Sequence, residues 1–390
     1  MDNVKKRFLE EFGLVEEYIS HKTNLKEGPE AVRKLLIYLY RNPGSTTYEV
    51  SQEMELPVPL VSAIRKELKK INFIPKNGSF MLSEDGANYI EKMGVKKKGV
   101  CTCEICDGFG YISENYDDYL SELEKLLIDT PKPNTMIDQS RATVETTLER
   151  ALLMDYNLDI DGKKILFMGD DDMTSLSINL VGNPLEVYVL DIDKRVLDFI
   201  DNVSKKKNFP IKTVEYDVRS ELPDFLKEKF DVFVTDPPYT INGAKVFISR
   251  CVDGMKKEVG KRGYISFGKK PPSEILEFEK NIISMNMIID DIYHKFNKYE
   301  GASILANQST MYVVSTTKST RPLIKGPYTE PFYTFELSPK IRVYKCVSCS
   351  TEYSLPQEEI KTIEELKSIG CKRCGGDKFK LKKRGKIKGE

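Results

Sequence analysis

Short apolar runs alternate with stretches of helical spacing across the middle of the chain. Residues 164–169 (KILFMG), 186–193 (EVYVLDID), 211–217 (IKTVEYD), 231–239 (DVFVTDPPY) and 263–268 (GYISFG) read as strands. Residues 175–182 and 194–206 read as intervening helices, and a further helix-like stretch precedes residue 231. Such alternation predicts parallel strands with helices on both faces. Residues 288–296 (IIDDIYHKF) and 309–317 (STMYVVSTT) have no helix between them and predict an antiparallel hairpin at one sheet edge.

The ends of the chain follow other patterns. Residues 31–40 have helical apolar spacing and stop at Asn42-Pro43-Gly44, Thr46 can cap a short helix through Met54, and residues 57–71 open on prolines and continue as an amphipathic helix. Residues 73–82 read as a two-strand ribbon turning at Asn77-Gly78. Three helices and a ribbon make a winged-helix pattern over residues 1–95. The third helix carries Arg65, Lys66, Lys69 and Lys70, a DNA-recognition face on one reading and a solvated surface on the other. Dimerisation or a lid over substrate is the stronger expectation for this domain.

Cysteines mark two further segments. Cys101, Cys103 and Cys106 sit in CTCEICDGFG, whose C-x-x-C-x-G-x-G portion looks like half of a zinc knuckle, within a linker spanning 96–137. Three thiolates do not complete a tetrahedral site unaided. In the tail, 341–390, Cys346-x-x-Cys349 and Cys371-x-x-Cys374 are separated by 21 residues and form the ligand set of a zinc ribbon. Two disulfides are the competing reading; zinc is favoured, in a structural role, because four cysteines leave no open position. Cys251 stands alone and reads as a core residue.

Composition narrows the partners. The 390 residues carry 60 basic and 60 acidic side chains, so no global field recruits nucleic acid. Charged residues make up 31% of the chain, glutamine occurs four times and tryptophan never, a balance that resembles thermophile chemistry. No run approaches the roughly 20 apolar residues of a membrane span, and the N-terminus is not a secretory signal, so a cytoplasmic protein is expected.

The candidate chemistry lies at the strand ends. Gly169-Asp170-Asp171-Asp172 occupies the first strand-to-helix turn, where a nucleotide-binding fold places a glycine-rich loop. Three carboxylates there repel an anion and attract a cation. Asp191, preferred over the neighbouring Asp193, ends the second strand where ribose hydroxyls are held, and Asp217 ends the third. Asp236-Pro237-Pro238-Tyr239 follows the fourth strand; proline removes amide donors and leaves carbonyls facing a site that suits an attacking amine. The bland alternative is that such aspartates cap helices.

Three segments together carry a family resemblance: residues 138–143 (DQSRAT), the GDDD loop, and Asp236-Pro237-Pro238-Tyr239. They resemble the branched-chain polyamine synthases of archaea and thermophilic bacteria. The resemblance implies a class I methyltransferase-like Rossmann domain over residues 138–340, preceded by the winged-helix-like domain and followed by the zinc-ribbon-like tail. It implies transfer of aminopropyl groups from decarboxylated S-adenosylmethionine to the central secondary amine of spermidine, twice, yielding N(4)-bis(aminopropyl)spermidine and methylthioadenosine. It further implies a homodimer that binds spermidine or a related linear polyamine. Asp172 is expected at the donor's amino group, by analogy with the single loop aspartate of linear spermidine synthases. Asp170 and Asp171 are expected at the acceptor nitrogen, with Asp171 as base. Asp236 and Tyr239 would orient the acceptor, Gly169, Asp191 and Asp217 would hold the donor, and Gln139 and Ser140 would close over it. The chain lacks the G-x-G-x-G glycines of linear synthases. The alternative is an S-adenosylmethionine-dependent amino-methyltransferase acting on DNA or RNA, to which DPPY, a winged helix and the basic tail would also suit; a carboxylate-repelling loop argues against it.

Overall fold

A parallel strand pair leaves its turns on the same end of a sheet, and this places the acidic segments together. In the computed structural model, residues 13–75, 80–95, 113–300, 306–337, 340–355 and 363–386 are described. Cys101, Cys103, Cys106 and the Asn77-Gly78 turn lie outside them. The described chain falls into two units. The first takes residues up to 132, 140–237 and 244–328; the second takes 133–139, 238–243 and 329 onward.

The first unit is built on a seven-stranded sheet in the order β3-β2-β1-β4-β5-β7-β6. Strands β1 (Lys164–Met168), β2 (Glu186–Asp191), β3 (Ile211–Glu215), β4 (Val232–Thr235) and β5 (Arg262–Gly268) run parallel. Strands β6 (Met287–Lys298) and β7 (Gln308–Thr316) form the antiparallel hairpin at the edge. Chain order reverses at β1, which pairs with β2 on one side and β4 on the other. Met168 is level with both Leu190 and Thr235, so the next residues, Gly169, Asp191 and Asp236, emerge side by side. Ligands in open α/β sheets sit in this crevice.

Helices line the sheet through apolar faces. Helix α7 (Val144–Tyr156) is capped by Thr143, whose hydroxyl accepts from Thr146 N, and buries Leu148, Ala151, Leu153 and Met154. Helix α8 (Thr174–Val181) follows the acidic loop, and α9 (Lys194–Lys207) follows β2 with Asp193 as its cap. Helix α10 (Ile241–Gly254) holds the fully buried Cys251, and α11 (Pro272–Ser284) buries Phe278. Between β3 and β4 only a 3-10 turn, Asp224–Leu226, occupies the stretch expected as helix.

N-terminal to these lie α1 (Val15–Thr23), α2 (Pro29–Arg41), α3 (Thr47–Met54), α4 (Val58–Lys70), α5 (Glu84–Lys92) and α6 (Tyr116–Leu126). The three helices expected from spacing coincide with α2, α3 and α4, and Thr46 closes a capping box with Glu49. Helices α1–α5 share their own core around Leu35, Leu36, Val61 and Ile64. In the stretch expected as a ribbon, Phe80 bridges to Ser45 and Ser83 N donates to Phe73 O at 2.9 Å. Lys295 pairs with Glu53 at 2.9 Å, tying this helical part to the β6–β7 edge.

In the second unit, β8 (Lys340–Cys346), β9 (Glu352–Leu355) and β10 (Phe379–Lys386) make an antiparallel sheet with a short helix, α13 (Ile363–Ile369). A four-residue helix, α12 (Thr334–Leu337), precedes them. Among the described residues no helix is long and apolar enough to cross a membrane.

One close approach fixes the β4–β5 pair. A Cβ on Gly263 would stand 2.2 Å from the ring of Phe233, which has no exposed surface to move into. Gly263→Ala should therefore lower stability by about 1–3 kcal/mol, the usual range for overpacking, read as a drop in urea midpoint without a change in slope.

Candidate active site

The first unit assembles five carboxylates at the switch point, and their partners separate their roles. Gly169 adopts a positive φ of 75°, which turns the chain out of β1. Asp170 then accepts from Thr174 N at 2.8 Å and Ser175 N at 3.0 Å, capping α8 with both oxygens. Asp191 accepts from Asp170 N at 3.2 Å and from Asp193 N at 2.7 Å, joining the β1 and β2 turns. Asp172 accepts from Ala142 N at 2.5 Å through one oxygen and pairs with Arg150 at 2.7 Å through the other. Expected at the donor's amine, Asp172 thus has both oxygens committed to the protein.

Arg150 is the residue that sequence reading missed. It projects from α7 with 3% of its surface exposed. It donates from Nη1 to Asp172, from Nη2 to Asp236 at 2.8 Å and Tyr299 Oη at 3.1 Å, and from Nε to Asn297 Oδ1 at 2.7 Å. Tyr299 donates to the same Asp236 oxygen at 2.6 Å, and Asn297 donates to Ser309 Oγ at 2.9 Å. The available signal was a single arginine within the apolar run of α7, Leu148 to Met154. Tyr299, Asn297 and Ser309 come from the edge hairpin, where no motif marks them.

Two carboxylate oxygens have no donor. Asp171 Oδ2 and Asp236 Oδ1 are buried, and neither has a hydrogen-bond partner. Among the described residues, the ion pairs of these five carboxylates reach one cation, Arg150. The cluster is short of positive charge. Burial pushes Asp170 up to about 8, Asp236 up to about 7 and Asp191 up to about 6. Asp171 is driven well above the ordinary carboxylate range by burial and then by the charges of Asp172, Asp191, Asp236 and Asp170. Burial also holds Tyr299 neutral, so it remains a donor to Asp236.

The other expected residues are placed as follows. Asp217 lies two residues beyond β3, about a third exposed, and pairs with Arg219. Ser140 belongs to the first unit, in the segment that Ala142 N and the Arg141 guanidinium (donating to the carbonyls of Thr130 and Pro131) pin in place. Gln139 and Tyr239 belong to the second unit, where Gln139 accepts from Asn134 N at 2.7 Å and Tyr239 is half-buried. In that unit the Sγ atoms of Cys346, Cys349, Cys371 and Cys374 all lie within 4.8 Å of one another, with 3.4 Å between Cys349 and Cys371 and 3.6 Å between Cys346 and Cys374. Tetrahedral zinc with Zn–S near 2.3 Å needs thiolates about 3.8 Å apart, so the four residues fit that ion.

A consequence for pH follows from the raised carboxyls. Each binds its proton more tightly folded than unfolded, so its stabilising share is complete below pH 4 and is lost as pH rises through about 6 to 8. A bound cation favours the ionised form and reverses the loss. The thermal midpoint of the ligand-free protein should fall between pH 5 and 8, and spermidine should raise it more at pH 8 than at pH 6. An equal rise at both values in a thermal-shift series would contradict this.

Comparison with known proteins agrees with the geometry. Residues 118–368 match the family described as the branched-chain polyamine synthase A C-terminal domain. An uncharacterised protein of Methanocaldococcus jannaschii is 37% identical over 97% of this chain and 95% of its own length. The N(4)-bis(aminopropyl)spermidine synthase of the same organism is 33% identical over 63% of this chain and 71% of its own. The fold matches the branched-chain polyamine synthase of Thermus thermophilus, solved with N4-aminopropylspermidine and 5'-methylthioadenosine, with TM-score 0.67 at 22% identity over 84% of this chain and 95% of that one. By its own sequence over most of its length, the chain belongs to the branched-chain polyamine synthase family.

Proposed function

We propose that this protein moves aminopropyl groups from decarboxylated S-adenosylmethionine to the central secondary amine of spermidine, twice, releasing methylthioadenosine each time. The observation that carries the reading is the unneutralised carboxylate cluster with open oxygens on Asp171 and Asp236. Decarboxylated S-adenosylmethionine and spermidine are both polycations and bring the missing charge and the missing N–H donors. Intact S-adenosylmethionine would bring a carboxylate into the same field. Unit charges 4 Å apart exchange about 1–4 kcal/mol in water-like to surface-like media, enough to select the donor by charge.

The chemistry is a displacement at carbon. The nitrogen lone pair attacks the aminopropyl carbon bonded to sulfur; the C–S bond breaks with its electrons going to sulfur, and neutral methylthioadenosine leaves. The acceptor must first lose its ammonium proton. Asp171 takes it: of the three loop carboxylates it keeps a buried oxygen without a donor, while Asp170 and Asp172 hold backbone amides and Arg150. A raised proton affinity suits a base working near neutrality. The product nitrogen is a tertiary ammonium, which loses its proton before the second attack and ends as a quaternary ammonium. Asp236 holds the acceptor amine through its open oxygen, with Tyr239 packing against the substrate. Asp191 holds the ribose, Asp217 the adenine amino group, and Gln139 and Ser140 close over the donor. Asp172 acts through its charge and by fixing Arg150.

A structural zinc on Cys346, Cys349, Cys371 and Cys374 is supported by their mutual spacing. Residues 1–95 are read as a winged-helix-like domain, supported by α2, α3 and α4. The catalytic part is read as residues 138–340.

Purified protein incubated with spermidine, or with a longer linear polyamine, and either donor should yield one and then two additions by mass spectrometry with the decarboxylated donor alone. Methyl transfer without aminopropyl transfer would overturn the reading. Asp171→Asn should slow transfer by roughly 10²–10⁴-fold while the circular dichroism spectrum is unchanged; near-normal turnover removes Asp171 as base. Elemental analysis should find one zinc per chain, lost in Cys371→Ser together with a lowered thermal midpoint; full metal content in that variant would contradict a four-thiolate site.

A further inference from the structure

We infer that the opposite end of the seven-stranded sheet carries a second binding site, for a small molecule bearing two or more phosphates. The carboxylate cluster stands at the carboxyl ends of β1, β2 and β4. At the other end, near the starts of β4 and β5 and the close of β7 at Thr316, lies a cavity of 490 Å³. That volume falls in the range of sites for small ligands, roughly 300–1,000 Å³. Nothing in aminopropyl transfer uses it.

The cavity is cationic. Seven lysines and arginines and three carboxylates line it. Of the carboxylates, Glu228 pairs with Lys257, Glu221 lies 3.9 Å from Lys227, and Asp253 lies 3.8 Å from Arg250. Lys318, Arg321 and Lys325 line the cavity without an ion-pair partner among the described residues.

Arg250 turns this from a charged surface into a built site. It has 0% of its surface exposed, yet it lines the cavity. Its Nε donates to Val218 O at 2.9 Å and its Nη2 to Gly326 O at 2.7 Å, which fixes the guanidinium plane. Nη1 has no hydrogen-bond partner, and Asp253 at 3.8 Å is beyond hydrogen-bonding range. A buried guanidinium edge left without an acceptor is costly unless a ligand supplies one. The loop that presents Lys318 and Arg321 is held in place: the hydroxyls of Thr317 and Thr320 both donate to Asn286 O at 2.8 Å.

Phosphate oxygens match these donors, and guanidinium forks bind them bidentately. One phosphate would meet Arg250, and a second would reach the outer cations. A nucleic-acid backbone presents its phosphates on a convex surface and does not enter a cavity to meet a buried arginine, so a small ligand is favoured.

The test is titration calorimetry on the intact protein, with polyamines absent, using pyrophosphate, ATP and orthophosphate as separate probes. Saturable one-to-one binding of pyrophosphate is expected, weakened at least tenfold in Arg321→Glu/Lys325→Glu, with thermal midpoint and basal transfer activity unchanged. Arg250→Lys should weaken binding similarly. ATP binding more tightly than pyrophosphate would identify a nucleotide; equal affinity would identify the diphosphate alone. No binding at millimolar pyrophosphate, binding unaffected by both variants, or orthophosphate binding as tightly as pyrophosphate would overturn the proposal.

Discussion

A guanidinium sealed from water holds the acidic end of the catalytic sheet together. Arg150 links Asp172 on the β1 turn, Asp236 after β4, and Tyr299 and Asn297 on the edge hairpin. Removing one partner of such a buried pair costs about 3–5 kcal/mol, because the other charge is left uncompensated. The arginine does not neutralise the cluster, however. It is one cation among five carboxylates, and it leaves open the oxygens of Asp171 and Asp236. The site is stable enough to fold and remains short of positive charge. That shortage is what the proposed substrates, a polyamine and a sulfonium donor, would supply.

The arrangement also explains why three consecutive aspartates do different things. Backbone direction turns Asp170 toward the amides of α8 and Asp172 toward Ala142 and Arg150. Asp171, between them, keeps an oxygen without a donor. In both proposed transfers positive charge passes from sulfur to nitrogen, so the total within the site is conserved. A fixed set of carboxylates can therefore serve each step without rearrangement.

Much of this was legible in the sequence, because strand ends and charge are local properties. The apolar runs gave β1, β2 and β4, and the parallel topology then brought Gly169, Asp191 and Asp236 level. The hairpin of β6 and β7 followed from the missing helix between them. What escaped was non-local. Arg150 lies on α7, and its partners are up to 149 residues away, at a distance no periodicity reports. The expected helix before β4 is a 3-10 turn, and Asp217 falls beyond the end of β3 and pairs with Arg219. The neutral net charge likewise hid a segregation: carboxylates at the carboxyl ends of the strands, and the lysines and arginines around Arg250 at the other.

The central claim is that the carboxylate cluster is built to be completed by a polycation. The most direct measurement is the number of protons released when spermidine binds, obtained by titration calorimetry at pH 7 in buffers of different ionisation enthalpy. The raised carboxyls hold protons in the free protein near neutrality and release them to solvent when a cation binds. Net release that shrinks in Asp171→Asn is the predicted result. Binding with no proton release, or with net uptake, would contradict the account.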